Sequence, residues 1–370
     1  MSFRRTTLAV LAAAAITLSI TAGAQSYTAR DLGTLEGGLA TWAYGINAAG
    51  QVVGSARTFT LRGYITGANG VGMTDLGTAQ AFGINATGRA VGVSSTATTP
   101  TFPHAFITGA NGVGMVDLGT LGGTSSVATG INAAARVVGT SNTTGDTSQH
   151  AFITGANGVG MSDLGTFGGR DSAATGINAA GQVVGYATTS AGDSSHAFIT
   201  GVNGVGMTDL GTLWGTSSFA TAISFAGQVV GYVSLGNNSR AFITGLNGMG
   251  MTDLGTLGGN SSFAYGINAA GQVVGSSETV GPSSHAFITG ANGASMTDLN
   301  SLVTLGANTY LTDAYGMNDS GQIIANANNL HAYLLSPVPE PETYALILVG
   351  FGLVGFSARR RTIGIKVTSP

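Results

Sequence analysis

A chain of 370 residues with 61 glycines and only 8% charged residues is too apolar to remain disordered. Its glycines also lack the three-residue period of a collagen. The absence of cysteine excludes disulfides, thiolate metal sites and cysteine nucleophiles. Between residues 25 and 337, seven arginines stand against fourteen carboxylates, and the only lysine, Lys366, lies in the tail. A weakly acidic surface without basic runs argues against nucleic acid or an anionic membrane as its partner.

The first element is a targeting segment. Arg4 and Arg5 precede the apolar run LAVLAAAAITLSI, and Ala22 and Ala24 hold the −3 and −1 positions before Gln25. A charged start, a short apolar stretch and small residues at the cleavage point predict a secretory signal over residues 1–24.

From residue 27 to 337 three short motifs return in fixed order, seven times each. GIN (GMN or AIS in single copies) has its second residue at Ile46, Ile84, Ile131, Ile177, Ile223, Ile267 and Met317. HAF or a variant begins at Arg62, His104, His150, His196, Arg240, His285 and His331. DLG, once DLN, begins at Asp31, Asp75, Asp117, Asp163, Asp209, Asp253 and Asp298, with successive copies 42 to 46 residues apart. Each unit reads as four short strands: a (AYGIN), b (GQVVGS), c (HAFIT) and d (GMTDLGTL), bounded by glycine and asparagine. Asn-Ala-Ala-Gly between a and b suits a type I turn with glycine in the left-handed region. Ala135 replaces that glycine once, so a strained or remodelled turn is expected there.

The a–b turn never changes length, and HAF to DLG spans thirteen residues wherever the two follow in order. The b–c and d–a connections vary. Because four antiparallel strands alternate in direction, the invariant turns share one face of the fold and the variable loops share the other.

A period near 45 with four strands is that of a β-propeller blade. The repeat region opens with a lone strand d, YTARDLGTL, and closes with a strand c, HAYLLS, that has no d after it. Pairing the two closes a seven-bladed ring and removes the exposed edges of an open array. A β-solenoid, the rival architecture, has no need of matching fragments at its ends. The units HAF…DLGTLGG…GIN…GQVVG resemble the extracellular HAF repeat family. That resemblance implies an exported repeat protein and supplies no catalytic residues.

The last element is VPEPETYALILVGFGLVGFSARRR, residues 338–361. Its apolar stretch, 344–358, is about 22 Å long as a helix against a hydrocarbon core of ~30 Å. Arg359, Arg360 and Arg361 would hold its end on the cytoplasmic side. The order Pro339-Glu340-Pro341, apolar helix, arginine cluster resembles the PEP-CTERM sorting signal. This implies export in a Gram-negative bacterium, processing by an exosortase-type enzyme and transient tethering to the inner membrane. The extension TIGIKVTSP after the arginines departs from the usual pattern. The expected organisation is therefore a signal peptide (1–24), an all-β seven-repeat propeller (25–337) and a sorting signal with a transmembrane helix (338–370).

All five histidines occupy the first position of strand c. Arginine holds that place in two units and cannot ligate a metal, so a histidine metal ring is not expected. His and Arg share the ability to donate a hydrogen bond, and the expected acceptor is the DLG aspartate or a carbonyl of strand d. This resembles the structural His and Asp of WD-type propellers. Aspartates spread evenly round a ring cannot flank one glycosidic bond. Neither HExxH, GxSxG nor an EF-hand loop occurs, and the GANGVGM segments lack a P-loop lysine. The chain reads as a non-enzymatic binding or structural module without a cofactor. The expected ligand is an exopolysaccharide or another surface glycan, met by the variable loops, with Trp42 and Trp214 as stacking candidates. The alternative is a polysaccharide hydrolase or lyase using loop acids such as Asp146, Asp171, Asp193 and Glu278.

Overall fold

The computed structural model describes residues 25–95, 102–190, 194–281 and 283–339. Within each unit the chain turns where its short polar residues demand it. In the first a–b turn, the Gly50 N–H donates to the Asn47 carbonyl at 3.0 Å. The Asn47 side chain accepts the N–H groups of Ala49 and Gln51, and Gly50 takes φ +70°. Blade 3 keeps this turn with Ala135 forced to φ +54°. A left-handed non-glycine residue costs about 1–2 kcal/mol. Ala135→Gly is therefore expected to stabilise the protein by about 0.5–1 kcal/mol after allowing for the greater freedom of glycine in the unfolded chain, read as a rise in denaturation midpoint.

Strand d is shorter than the sequence predicts, only Met73–Asp75 in blade 1 and three residues in every complete unit. The aspartate ends it. Asp75 Oδ1 accepts the N–H of Gly77 at 2.7 Å, and this local turn withdraws the backbone from the ladder.

The described strands form seven four-stranded antiparallel sheets. Blade 1 is Ala40–Ile46, Val52–Arg57, Leu61–Thr66 and Met73–Asp75, paired in that order. Blades 2 to 6 follow at 79–117, 122–163, 168–209, 217–253 and 258–298. Blade 7 takes strands a, b and c from 311–337 and its strand d, Tyr27–Asp31, from the beginning of the ring. Tyr27 pairs with Pro337 and Asp31 with Tyr333, so the ring is closed by two stretches some 300 residues apart.

Strand a is innermost. The Gly-Ile (or Ala-Ile, Gly-Met) pairs of all seven strands a line a cavity of 210 Å³ on the axis. A side chain on Gly45 would meet the Phe82 carbonyl of the next blade at 2.9 Å, so glycine there lets the inner strands approach. The core lies between blades, not within them. Val138, Ala151 and Ile153 of blade 3, for example, pack on Ala174, Val183 and Phe198 of blade 4. Both faces of each sheet are thus covered, which is why strands b and c read as continuous apolar runs.

The a–b and c–d turns meet on one face. The Asn69 N–H, in the c–d turn, donates to the Ala49 carbonyl, in the a–b turn, at 3.0 Å. The GIN asparagines also reach from blade to blade. Asn47 Nδ2 donates to the Asn85 carbonyl at 3.0 Å, Asn85 to that of Asn132 at 3.2 Å, and Asn318 to that of Asn47 at 3.1 Å across the closure. The sequence marks these residues only as turn formers; their linking role needs the ring.

Candidate ligand-binding face

The b–c and d–a loops gather on the opposite, variable face. At its outer rim stand the seven pairs of His or Arg with Asp. The Nδ1 atoms of His104, His150, His196 and His285 lie 2.7–2.8 Å from carboxylate oxygens of Asp117, Asp163, Asp209 and Asp298. Arg62 and Arg240 make the same contact with Asp75 and Asp253 at 2.6 and 2.7 Å. His331 makes it with Asp31 at 2.8 Å, across the ring closure.

In most pairs one carboxylate oxygen takes the strand c side chain; Arg240 donates to both oxygens of Asp253, and His104 Nδ1 lies near both of Asp117. Where strand d begins the d–a loop a carboxylate oxygen also holds a backbone N–H two residues on, as in blade 4, where His196 and the Gly211 N–H share Asp209. Partial burial pushes the Asp75 carboxyl up, but the hydrogen bonds from Arg62 and Gly77 outweigh it and hold the group below its ordinary value. Such half-exposed pairs are worth about 1 kcal/mol. His150→Ala is expected to lower the melting temperature by a few degrees and to leave ligand binding unchanged.

The loop acids are engaged as braces. Asp146 accepts from the Thr124 N–H at 2.8 Å and from Asn142 at 2.9 Å, and these hold its carboxyl below the ordinary value. Asp171 accepts the Gln149 N–H, and Glu278 the N–H groups of Asn260 and Ser261. Asp193 lies outside the described residues. Among the described residues, no three His, Asp or Glu side chains cluster as a metal site would require.

The two tryptophans differ. Trp214 is 59% exposed and stands where three other units have a left-handed glycine, as at Gly168, φ +86°. Tryptophan does not adopt that backbone. The strand a after it is cut from ten residues to Ser217–Ile223, and a Thr212–Gly215 turn replaces the start. Trp42 lies half-buried in a cleft of 410 Å³ together with Tyr44, Ser55, Arg57, Phe59, Leu61 and Gln80. Phe59 at the tip of the b–c loop is fully exposed, and the Arg57 guanidinium makes no ion pair among the described residues.

Tyr44 also belongs to an arc of rings along strands a and b. Tyr44 contacts Phe82 at 5.4 Å between centroids and Tyr315 at 5.6 Å. The arc runs on through Tyr265, Phe263, Tyr232 and Phe219 to Tyr186, with separations of 4.9–6.4 Å. Burial, and secondarily the Asp313 carboxylate, push the Tyr315 phenol well up. Sequence reasoning singled out Trp42 but missed Tyr44, Arg57, Phe59 and the arc. Aromatic residues two apart in TWAYGI and SFAYGI were the available signal.

Fold and tail together define the class: a seven-bladed β-propeller carrying a PEP-CTERM protein-sorting motif, matched over residues 337–361. The motif marks an exported protein of the exosortase-sorted kind found in Gram-negative bacteria. Pro339 ends the described chain, exposed; Glu340, Pro341, the apolar run 344–358 and Arg359, Arg360 and Arg361 lie outside it, as do Ala22 and Ala24. Among the described residues no helix is long and apolar enough to cross a membrane.

No curated protein matches the sequence. Among solved structures, YCF48 bound to D1 peptide is similar with a TM-score of 0.53 at 12% identity, covering 85% of this chain and 96% of that one. The β-propeller domain of the Trilobed protease from Pyrococcus furiosus gives 0.52 at 7% identity, covering 80% and 94%. TolB from Acinetobacter baumannii gives 0.44 at 12% identity; 78% of this chain covers 64% of TolB's length. At these identities the first two likenesses show the propeller fold alone.

Proposed function

We propose that this protein is an exported, non-enzymatic binding module that holds exopolysaccharide or a related surface glycan on its variable face. The cleft beside Trp42 carries the reading. Sugars present an apolar ring face and a hydroxyl edge, and the cleft offers aromatic rings with Ser55, Thr58, Thr60 and Gln80 around them. Arg57, which makes no ion pair among the described residues, favours a carboxylate-bearing sugar. The binding reading is further supported by Asp146, Asp171 and Glu278, which serve backbone N–H groups, whereas a hydrolase needs two carboxyl groups free to face one bond.

The test is binding of the full chain to acidic and neutral glycans on an array and in solution. Phe59→Ser, which touches no core, and Trp42→Ala are each expected to weaken binding about tenfold, in line with loss of one stacked ring. Unchanged affinity in both variants sinks the cleft as the site. Release of shortened or unsaturated sugars by the wild type would instead establish the hydrolase or lyase.

A further inference from the structure

We infer that the face formed by the invariant turns rests on the lipid bilayer while the sorting tail tethers the chain, so that the variable face points away from the membrane. The inference depends on the reading of the tail as membrane-inserted; its own evidence lies in where the tail leaves the ring and what surrounds that exit.

Strand c of blade 7 runs from the variable face to the turn face and ends at Pro337, beside Gly321 of an a–b turn. Gln25 and Ser26 close over the exit through hydrogen bonds with Val338, so both ends of the propeller emerge on the turn face. Only residues 338–343 separate it from the apolar run that begins at Tyr344. Six residues reach at most about 20 Å, whatever their conformation. The headgroup layer takes about 5–7 Å of that, which leaves the domain no room to turn its other face to the lipid.

The chemistry of the turn face fits such a neighbour. Five c–d turns present a large apolar side chain at one repeated position: Val71, Val113, Val159, Val205 and Met249, each 53–74% exposed. Blade 6 has Ala294 there, and in blade 7 the tail itself leaves from that place. Phe225, 77% exposed, adds an aromatic ring from the a–b turn of blade 5, where other units carry alanine or, once, aspartate. Exposed apolar residues repeated round a ring of turns suit shallow insertion between headgroups.

Charge is segregated to match. The DLG aspartates, Glu36, Asp146, Asp171, Glu278 and Asp313 all lie toward the variable face, and Asp319 is the one described carboxylate in the invariant turns. Asp319 stands in the a–b turn beside the tail's exit, and the other described carboxylates lie on the side away from it.

The chain reconstituted into phosphatidylcholine vesicles with dibrominated acyl chains provides the test, because bromine quenches only tryptophans near the hydrocarbon. Trp42 and Trp214 both lie toward the variable face and serve as the internal reference. Flotation of the wild type from Gln25 onward, freed of the leader, reports the tail, and its emission is expected to match that in unbrominated lipid. Phe225→Trp is expected to add an emission component that brominated lipid quenches about twofold. Val159→Trp, in a different blade, should behave alike and guards against misfolding of one variant. Flotation with both new tryptophans unquenched, or with the native pair quenched, overturns the docking face while sparing the tail. Failure to float overturns the tail reading and this inference with it.

Discussion

Removal of residues 25–35 is expected to abolish the cooperative melt of the propeller and to produce soluble aggregates on gel filtration. Strand Tyr27–Asp31 supplies the whole outer edge of blade 7, and without it the strand ending in Pro337 presents unpaired backbone groups that template association. Tyr27, Leu32 and Leu35 are each at most 9% exposed, and they close the clusters on both sides of the seventh blade. Burial of such side chains is worth about 1.5–3 kcal/mol each. Three together approach the whole stability of about 5–15 kcal/mol typical of a domain. By contrast His331→Ala removes only one half-exposed pair with Asp31 and is expected to cost about 1 kcal/mol or less. Circular dichroism melts of the two variants separate the parts: if the truncated ring melts like the wild type, closure contributes little to stability.

The second large effect is expected from a single methyl group. Gly185→Ala places a Cβ at 1.9 Å from the Ala173 carbonyl oxygen and 2.9 Å from Ala174 Cα, atoms of the neighbouring inner strand that cannot rotate away. Strand a bulges between Ala174 and Gly176, and its backbone lies over the glycine of strand b. The same 1.9 Å approach recurs at Gly54, Gly92, Gly139, Gly231 and Gly275. Blade 7 carries Ala325 there, and its inner strand has a register shift between Leu311 and Asp313 besides the one between Ala314 and Gly316. A loss of more than about 3 kcal/mol is expected, as for severe overpacking. Gly160→Asn is the control. That glycine has positive φ, +68°, but nothing stands within 4 Å of its Cβ, and asparagine tolerates the left-handed region, so the cost should stay near 1 kcal/mol or below. Equal melting of the two variants would show that the clash relaxes at no cost.

Much of this architecture can be read from spacing. The repeat, its four strands and the split seventh blade follow from the positions of GIN, HAF and DLG, because backbone pairing depends on length and turn chemistry more than on side-chain identity. The length of strand d could not be read so well. DLGTL is apolar enough to continue as strand, yet the Asp75 side chain captures the Gly77 N–H and stops it. The cleft was legible only at Trp42. Tyr44, Arg57, Phe59 and Gln80 come from two strands, a loop and a neighbouring blade, and no local pattern announces that they meet.

By itself the sequence determined the number of blades, the pairing of the first strand with the last, and which loops vary. These are properties of periodicity, and a chain carries its period with it. The tertiary structure alone decided which rings share a cleft, which asparagines bind the next blade, and that the tail leaves through the apolar turn face. Those depend on the angle and distance between units, set when the apolar faces of successive blades pack together and the ring closes.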